Sequence, residues 1–318
     1  MQKFVSDTDW YQQIEKIRAH VNNPLAGIFG PDSISWEVNR YMTIYLGAGR
    51  SVLLQLAHPW VAEAINQHSQ VKTDPYGRLR RTALHVLTML YGSMDQAFQS
   101  ARHVRQIHSA ITGKLSEDYE YYRRGSSYQA NDLNALIWVY STLLESSVAM
   151  YELFVRPLNV REKNQYLDES KQFASLFGIP ESALPSNWRT FMEYNQEMWN
   201  SKFLSVGEEA LNVADFLVHL KPHPVLRKLW WEYQVMTSLM MPPRLRKAYG
   251  LPPDTAKNRL QYEKHVRRIK KIFHCLPPHL RYLPPYIEAK RRLNGKTNPD
   301  FATAVLNKLL YGKSRLVL

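Results

Sequence analysis

Apolar positions recur at spacings of three and four residues through most of this chain, the period that turns side chains toward one face of an α-helix. The clearest case is the stripe Met94, Ala97, Phe98, Ala101, Val104, His108, Ile111, which carries an imidazole on its inward face. Just upstream, GRLRRTALH sets Arg78, Thr82, His85 and Met89 on one face of a preceding helix. Two successive helices thus direct polar chemistry toward a core.

The punctuation between stripes predicts the other helices. A long apolar helix, WEVNRYMTIYLGAGRSVLLQLA, is expected to stop at His58-Pro59, because the residue before a proline is pushed out of the helical region. A short helix, PWVAEAINQ, leads to His68-Ser69, and Asp74-Pro75-Tyr76-Gly77 turns the chain into the Arg78 helix. Ser93 with Gln96 forms a capping box for the His108 helix, which should end near Gly113. Asn131-Asp132 caps LNALIWVYSTLLESSVAMYELFV, whose first half is apolar nearly all round and therefore central. Asn159 with Glu162 opens a helix closing at Gly178, and Ser186 and Pro224 mark two further starts. No alternating run is bounded by Asn-Gly or Asp-Gly turns, so the fold class is all-α. Without repeats or long linkers, one large domain over 1–252 with a helical extension over 253–318 packed on it is the simplest organisation.

Composition narrows the classes. With 318 residues, 45% apolar and 22% charged, the chain can bury a sizeable core. It has no run near the ~20 apolar residues that span a bilayer, and its amphipathic start is unlike a signal sequence, so a cytoplasmic location is expected. The single cysteine, Cys275, excludes an internal disulfide or a multi-thiolate zinc site. The net charge of +13 is concentrated: residues 1–243 hold 23 Lys/Arg against 24 Asp/Glu, and residues 244–318 hold 18 against 4. That basic quarter, with an amphipathic helix beginning near Asp254 and interleaved Tyr, Phe and Leu, suits peripheral attachment to an anionic membrane surface. Nucleic acid would meet the same charges and is the less favoured partner, and a solvated basic lobe is the plain alternative.

One inward histidine opposite an arginine and a threonine suits haem, which needs one imidazole on the iron and an open opposite face. A cysteine-ligated haem finds no support, because Cys275 lies in a basic stretch before Pro-Pro. A non-haem centre from His58, His68, His85 and His108 lacks HExxH or ExxH spacing, and Glu63 is the nearest acid. No GxSxG elbow or Gly-rich phosphate loop is present.

The ordered segments GAGRSVLLQLAHPWVAEAINQHSQ, DPYGRLRRT, VRQIHSAITG, YQANDLNALIWVYSTLLES, FGIPESALP and MPPRLRKAYGL closely resemble the MpaB and latex-clearing protein (rubber oxygenase) catalytic-domain family over residues 27–252. The resemblance implies an all-helical fold with a globin-like core, haem b, and use of dioxygen to cleave a carbon-carbon double bond in an isoprenoid chain. Through the Arg-x-x-His of VRQIH it implies that His108 is the iron ligand, with Arg105 beside it to meet a haem propionate. Through Arg-x-x-x-Thr it implies that Arg78 and Thr82 lie above the iron. Arg81 stands where latex-clearing proteins carry a lysine that can cap the iron. A guanidinium does not deprotonate, which excludes such an amine cap and counts against rubber as the substrate. The family's catalytic glutamate has no unambiguous match, Glu63 being only nearby.

Three structural expectations complete the reading: His58 caps the helix break at Pro59, His68 bonds the following turn, and Trp138 lines a substrate channel. The chain is thus expected to be a haem b oxygenase of a hydrophobic, isoprenoid-type substrate. A non-catalytic haem sensor or carrier and a non-haem iron oxygenase are the alternatives.

Overall fold

The computed structural model describes residues 4–69, 73–218 and 223–316. Among them are sixteen α-helices and one two-stranded sheet, so the protein is all-α as expected. The centre is α7 (Leu133–Phe154), capped by Asp132 through the Ala135 amide at 2.9 Å. It buries residues on every side, among them Leu136, Trp138, Tyr140, Leu144 and Phe154, as its all-round apolar sequence requires.

The other elements lie around it mainly in two apolar clusters. In the larger, α7 meets α1 (Asp7–His20), α5 (Pro75–Tyr91), α6 (Met94–Ala110) and α8 (Val160–Ser175), through residues such as Trp10, Leu87, Phe98 and Phe173. In the second, Trp138 packs with α3 (Ala48–Leu56), α4 (Pro59–His68), α10 (Glu208–Val218) and α12 (Pro243–Ala248). Trp138 is fully buried there, with its indole N–H donating to the Leu54 carbonyl at 2.9 Å. It is a core residue and not the channel wall expected from the sequence. α9 (Trp188–Asn200) contributes to both clusters, and α11 (Arg227–Leu239) packs through Met236 on Met150 and Phe154 of α7 in a third.

Two local expectations are corrected. The long helix before His58 is broken into α2 (Ile34–Asn39), a 3-10 stretch over Met42–Gly47, and α3. The cause is tertiary: the Leu283 amide takes the Arg40 carbonyl at 2.7 Å, and Tyr41 bridges to Tyr282, so the backbone there is spent on a partner outside the helix. A short antiparallel hairpin, β1 (Thr112–Lys114) with β2 (Ser127–Gln129), follows α6, and three-residue strands are too short to show an alternation.

The basic C-terminal quarter is helical. α13 (Ala256–Cys275) turns Tyr262, Val266 and Ile269 onto Phe154 and Met236, so it packs on α7 and α11. Then come α14 (Pro278–Arg281), α15 (Pro284–Leu293) and α16 (Phe301–Tyr311), the last two lying on α5. No helix among the described residues is long and apolar enough to cross a membrane.

Arg50 of α3 is buried against α7, where it pairs with Glu145, donates to Ser146 Oγ at 2.9 Å and gives its Nε–H to the Met240 carbonyl at 2.7 Å. Removing one member of such a pair strands a buried charge. Arg50→Ala is therefore expected to cost about 3–5 kcal/mol in urea unfolding, and Arg50→Met with Glu145→Leu should recover much of that loss.

Candidate functional site

The two helices singled out by the sequence form an antiparallel hairpin. Asp74 caps α5 by accepting the Gly77 amide at 2.8 Å, and Ser93 and Gln96 form the predicted capping box of α6. The turn between them is held by glycines: Gly27, at φ 81°, approaches so closely that a Cβ there would lie 2.3 Å from the Gly92 carbonyl oxygen. The register is fixed by His85, whose Nδ1 lies 2.9 Å from Ser100 Oγ and whose ring stacks on His103 at 5.0 Å. Seven residues back from His85 is Arg78 and seven forward from Ser100 is Ile107, so Arg78 and His108 lie toward the same end of the hairpin.

His108 occupies the last turn of α6. Its ring makes no hydrogen bond among the described residues, and neither nitrogen is sealed from the surface. Burial, with the neighbouring Arg105 charge second, lowers its pKa to about 4, against the opposite pull of a helix C-terminus. The residue is nevertheless only half-buried. At neutral pH it is an uncharged imidazole with a free lone pair, the form that binds iron.

The other expected residues are placed unevenly. Arg78 is half-buried, with Nε donating to Ser69 Oγ at 2.7 Å, and burial followed by the like charge of Arg81 lowers its pKa. Thr82 is exposed on α5, and this departs from the inward hydroxyl expected of it. Arg81 is exposed and pairs with Asp74 at 3.1 Å. Arg105 holds the start of the chain to α6: Nε and Nη2 donate to Asp7 Oδ1 at 3.0 and 2.8 Å, and Nη2 also donates to the Val5 carbonyl. Its Nη1 is buried without a partner, a donor still to be satisfied.

The remaining histidines have other surroundings. His58 is the N-cap residue of α4, but its side chain makes no capping bond. It is buried beside Trp60 and Tyr122, and burial lowers its pKa to about 4. The expected side-chain cap is thus absent because the ring is drawn into an aromatic cluster. His68 is exposed and touches the edge of Tyr128, and residues 70–72 of the turn it was expected to bond lie outside the described residues. Glu63 is fully buried and accepts the Ser116 amide at 2.6 Å and Gln67 Nε2 at 2.7 Å, so it ties α4 to the segment following β1. No three or more His, Cys, Asp or Glu side chains among the described residues form a group able to hold a metal ion.

Beside Arg78, Leu79 enters a cavity of about 230 Å³ whose walls include Tyr45, Val52, Tyr76, Trp230 and Tyr233. Gly49 lets the Tyr233 hydroxyl accept its amide at 3.1 Å, where a Cβ would lie 2.5 Å from that oxygen. At this volume, below the roughly 300–1,000 Å³ of drug-sized sites, the cavity suits a segment of an apolar chain and is too small for haem. The sequence pass missed these walls. The GAG at 47–49 was their signal, a small-residue run inside an apolar helix.

Fold and site together define an all-helical protein with a neutral, unpartnered imidazole and an arginine at one end of a helical hairpin, next to an apolar cavity. The chain belongs to the ER-bound oxygenase mpaB/B'/Rubber oxygenase catalytic-domain family, whose sequence model matches residues 36–271. It is accordingly an oxygenase of the mpaB/rubber-oxygenase type. No curated protein and no solved structure gave a match.

His58 supplies a pH test of the geometry. Its folded-state pKa of about 4 lies below the unfolded 6.5, so the unfolded chain binds the extra proton between those values. Its contribution is complete above pH 6.5 and is lost as pH falls toward 4, at up to about 1.4 kcal/mol per pH unit. His58→Phe should flatten the fall in unfolding free energy between pH 6.5 and 4.5 by about that amount, and an unaltered slope would contradict the buried placement.

Proposed function

We propose that this protein is a haem b-dependent oxygenase that uses dioxygen to cleave a carbon-carbon double bond in a hydrophobic, isoprenoid-type substrate, with His108 as the iron ligand in a globin-like core. The observation that carries the reading is the desolvated, unpartnered imidazole of His108 in a chain of this oxygenase family. The donor chemistry fits haem, since one neutral imidazole is the protein's share of such a site. A non-haem centre needs several converging ligands, and no such group is present among the described residues. Haem, when bound, would supply the redox-active iron on which dioxygen chemistry depends.

The chain's own residues take the following parts. His108 stays neutral down to about pH 4 and so offers its lone pair throughout the working range. Arg78, on the facing helix toward the same end of the hairpin, supplies a permanent positive charge that favours negative charge developing on the oxygen side. Thr82, one turn further along α5 and exposed, offers a hydroxyl for proton exchange with solvent. The unpartnered Nη1 of Arg105 is a donor available to a propionate, while its other two nitrogens are committed to Asp7 and Val5. Arg81 turns out to Asp74 and supplies no amine to cap the iron. The Tyr45–Tyr233 cavity holds a segment of the apolar substrate. In this reading residues 1–252 form the catalytic domain, and residues 253–318 form a basic extension packed on it. The protein works in the cytoplasm, and the charge of residues 244–318 holds it peripherally at an anionic membrane surface.

An absorption spectrum with pyridine haemochrome analysis tests the assignment. The wild type should show a Soret band with about one haem b per chain, and His108→Ala should lose or shift it. Arg78→Ala should keep its haem and lose about 10²–10³-fold in dioxygen-dependent turnover of polyprenyl substrates. A colourless protein, even after expression with added haem, would sink the reading.

A further inference from the structure

α16 is built inside out. Its buried positions include Thr303 and Asn307, and Asn307 bonds inward to Glu288. Its outward face carries Phe301, Val305 and Leu309, which are 85%, 41% and 64% exposed. These three residues are spaced i, i+4, i+8 and form one continuous stripe along the helix. An apolar stripe of this kind, on a helix that turns Thr303 and Asn307 to the core, suits a partner that is itself apolar.

The surrounding charge identifies the partner. Residues 284–316 hold seven Lys/Arg and two Asp/Glu. Both acids are occupied: Glu288 accepts the Leu316 amide and Asn307, and Asp300 caps α16 through the Thr303 amide and lies near Arg291. Lys308 is exposed on α16 itself, and from α5 the exposed Arg80 donates to the Leu309 carbonyl at 3.1 Å. Apolar side chains flanked by Lys308 and Arg80, in a segment of net positive charge, match a bilayer carrying anionic headgroups. A second copy of the chain would bring like charge to like charge, and nucleic acid would leave the apolar stripe uncovered.

The stripe also lies beside the cavity. Tyr311, at the inner end of α16, shares a hydrogen bond with Tyr45 of the cavity wall. Tyr76, exposed at the rim, stands one helical turn before Arg80 on α5. By contrast, α13, the densest basic run in the sequence, spends most of its apolar face on α7 and α11.

We propose that α16 is a bilayer-docking helix, with Phe301, Val305 and Leu309 seated in an anionic lipid surface so that the mouth of the Tyr45–Tyr76 cavity faces the membrane. The inference rests on the reading that this cavity receives a hydrophobic substrate, which would then pass from lipid to protein without crossing water.

The test is co-sedimentation of the full chain with vesicles of phosphatidylcholine alone and of phosphatidylcholine with phosphatidylglycerol in equal parts. The wild type should bind the anionic vesicles, and binding should weaken as salt rises from about 0.1 to about 0.5 M. Phe301→Ser with Leu309→Ser, at exposed sites that folding does not need, should bind at least about tenfold more weakly with an unchanged circular dichroism melt. Val225→Ser with Leu229→Ser, at a different exposed patch, should bind as the wild type does. The proposal is overturned by no affinity for anionic vesicles, by full binding in the α16 variant, or by loss of binding in the Val225/Leu229 variant alone. Self-association abolished by the α16 changes would also overturn it, by assigning the stripe to a second copy. A Soret band read on the same preparations reports the haem assignment separately, so either idea can fail while the other stands.

Discussion

A helix that is apolar on all sides cannot reach water, and everything else in this protein is arranged to cover α7. Of the residues from Leu133 to Phe154 only Asn134 is exposed, and three apolar clusters form a sheath over the rest. Where the clusters meet, the sheath is not made only of aliphatic side chains. Arg50 and Glu145 neutralise each other there, and Tyr194 belongs to the margins of both clusters. The cavity is walled largely by tyrosine and tryptophan rings from the 3-10 stretch, α5 and α11, with the small residues of α3 beside them.

The α5/α6 hairpin uses the same sheath differently. Its inner residues, Leu87, Met89, Phe98 and Ala101, are ordinary core. Two to three turns toward the open end the helices carry Arg78 and His108, which are only half-buried. The proposed site thus lies where the stripe runs past the edge of the core, and burial lowers the pKa of an imidazole that is still partly exposed.

Much of this was legible in the sequence because it depends on local chemistry. The capping boxes at Ser93 and Asn159 and the Asp132 cap fell where the residue types required. The placement of His108 on an inward stripe was a matter of helical period alone. What could not be read was set by distant contacts. The break at Arg40-Tyr41 depends on Leu283, more than 240 residues away, and the turn of His58 into an aromatic cluster depends on Tyr122. Thr82 shows the limit of period-based reasoning: it shares a helical face with Arg78 and Met89, yet that face is buried at one end and open at the other. A stripe gives direction around a helix and not depth along it.

The Tyr45–Tyr311 hydrogen bond joins two elements separated by most of the chain, one forming a cavity wall and the other ending the last helix. Thermodynamic linkage gives such a bond a reciprocal meaning. Any free energy by which filling the cavity displaces Tyr45 is felt at α16 through Tyr311, and a surface that fixes α16 biases the shape of the cavity by the same amount. If both are occupied as proposed, the interior and the exterior act on one equilibrium, with a pair of phenols as the joint between them.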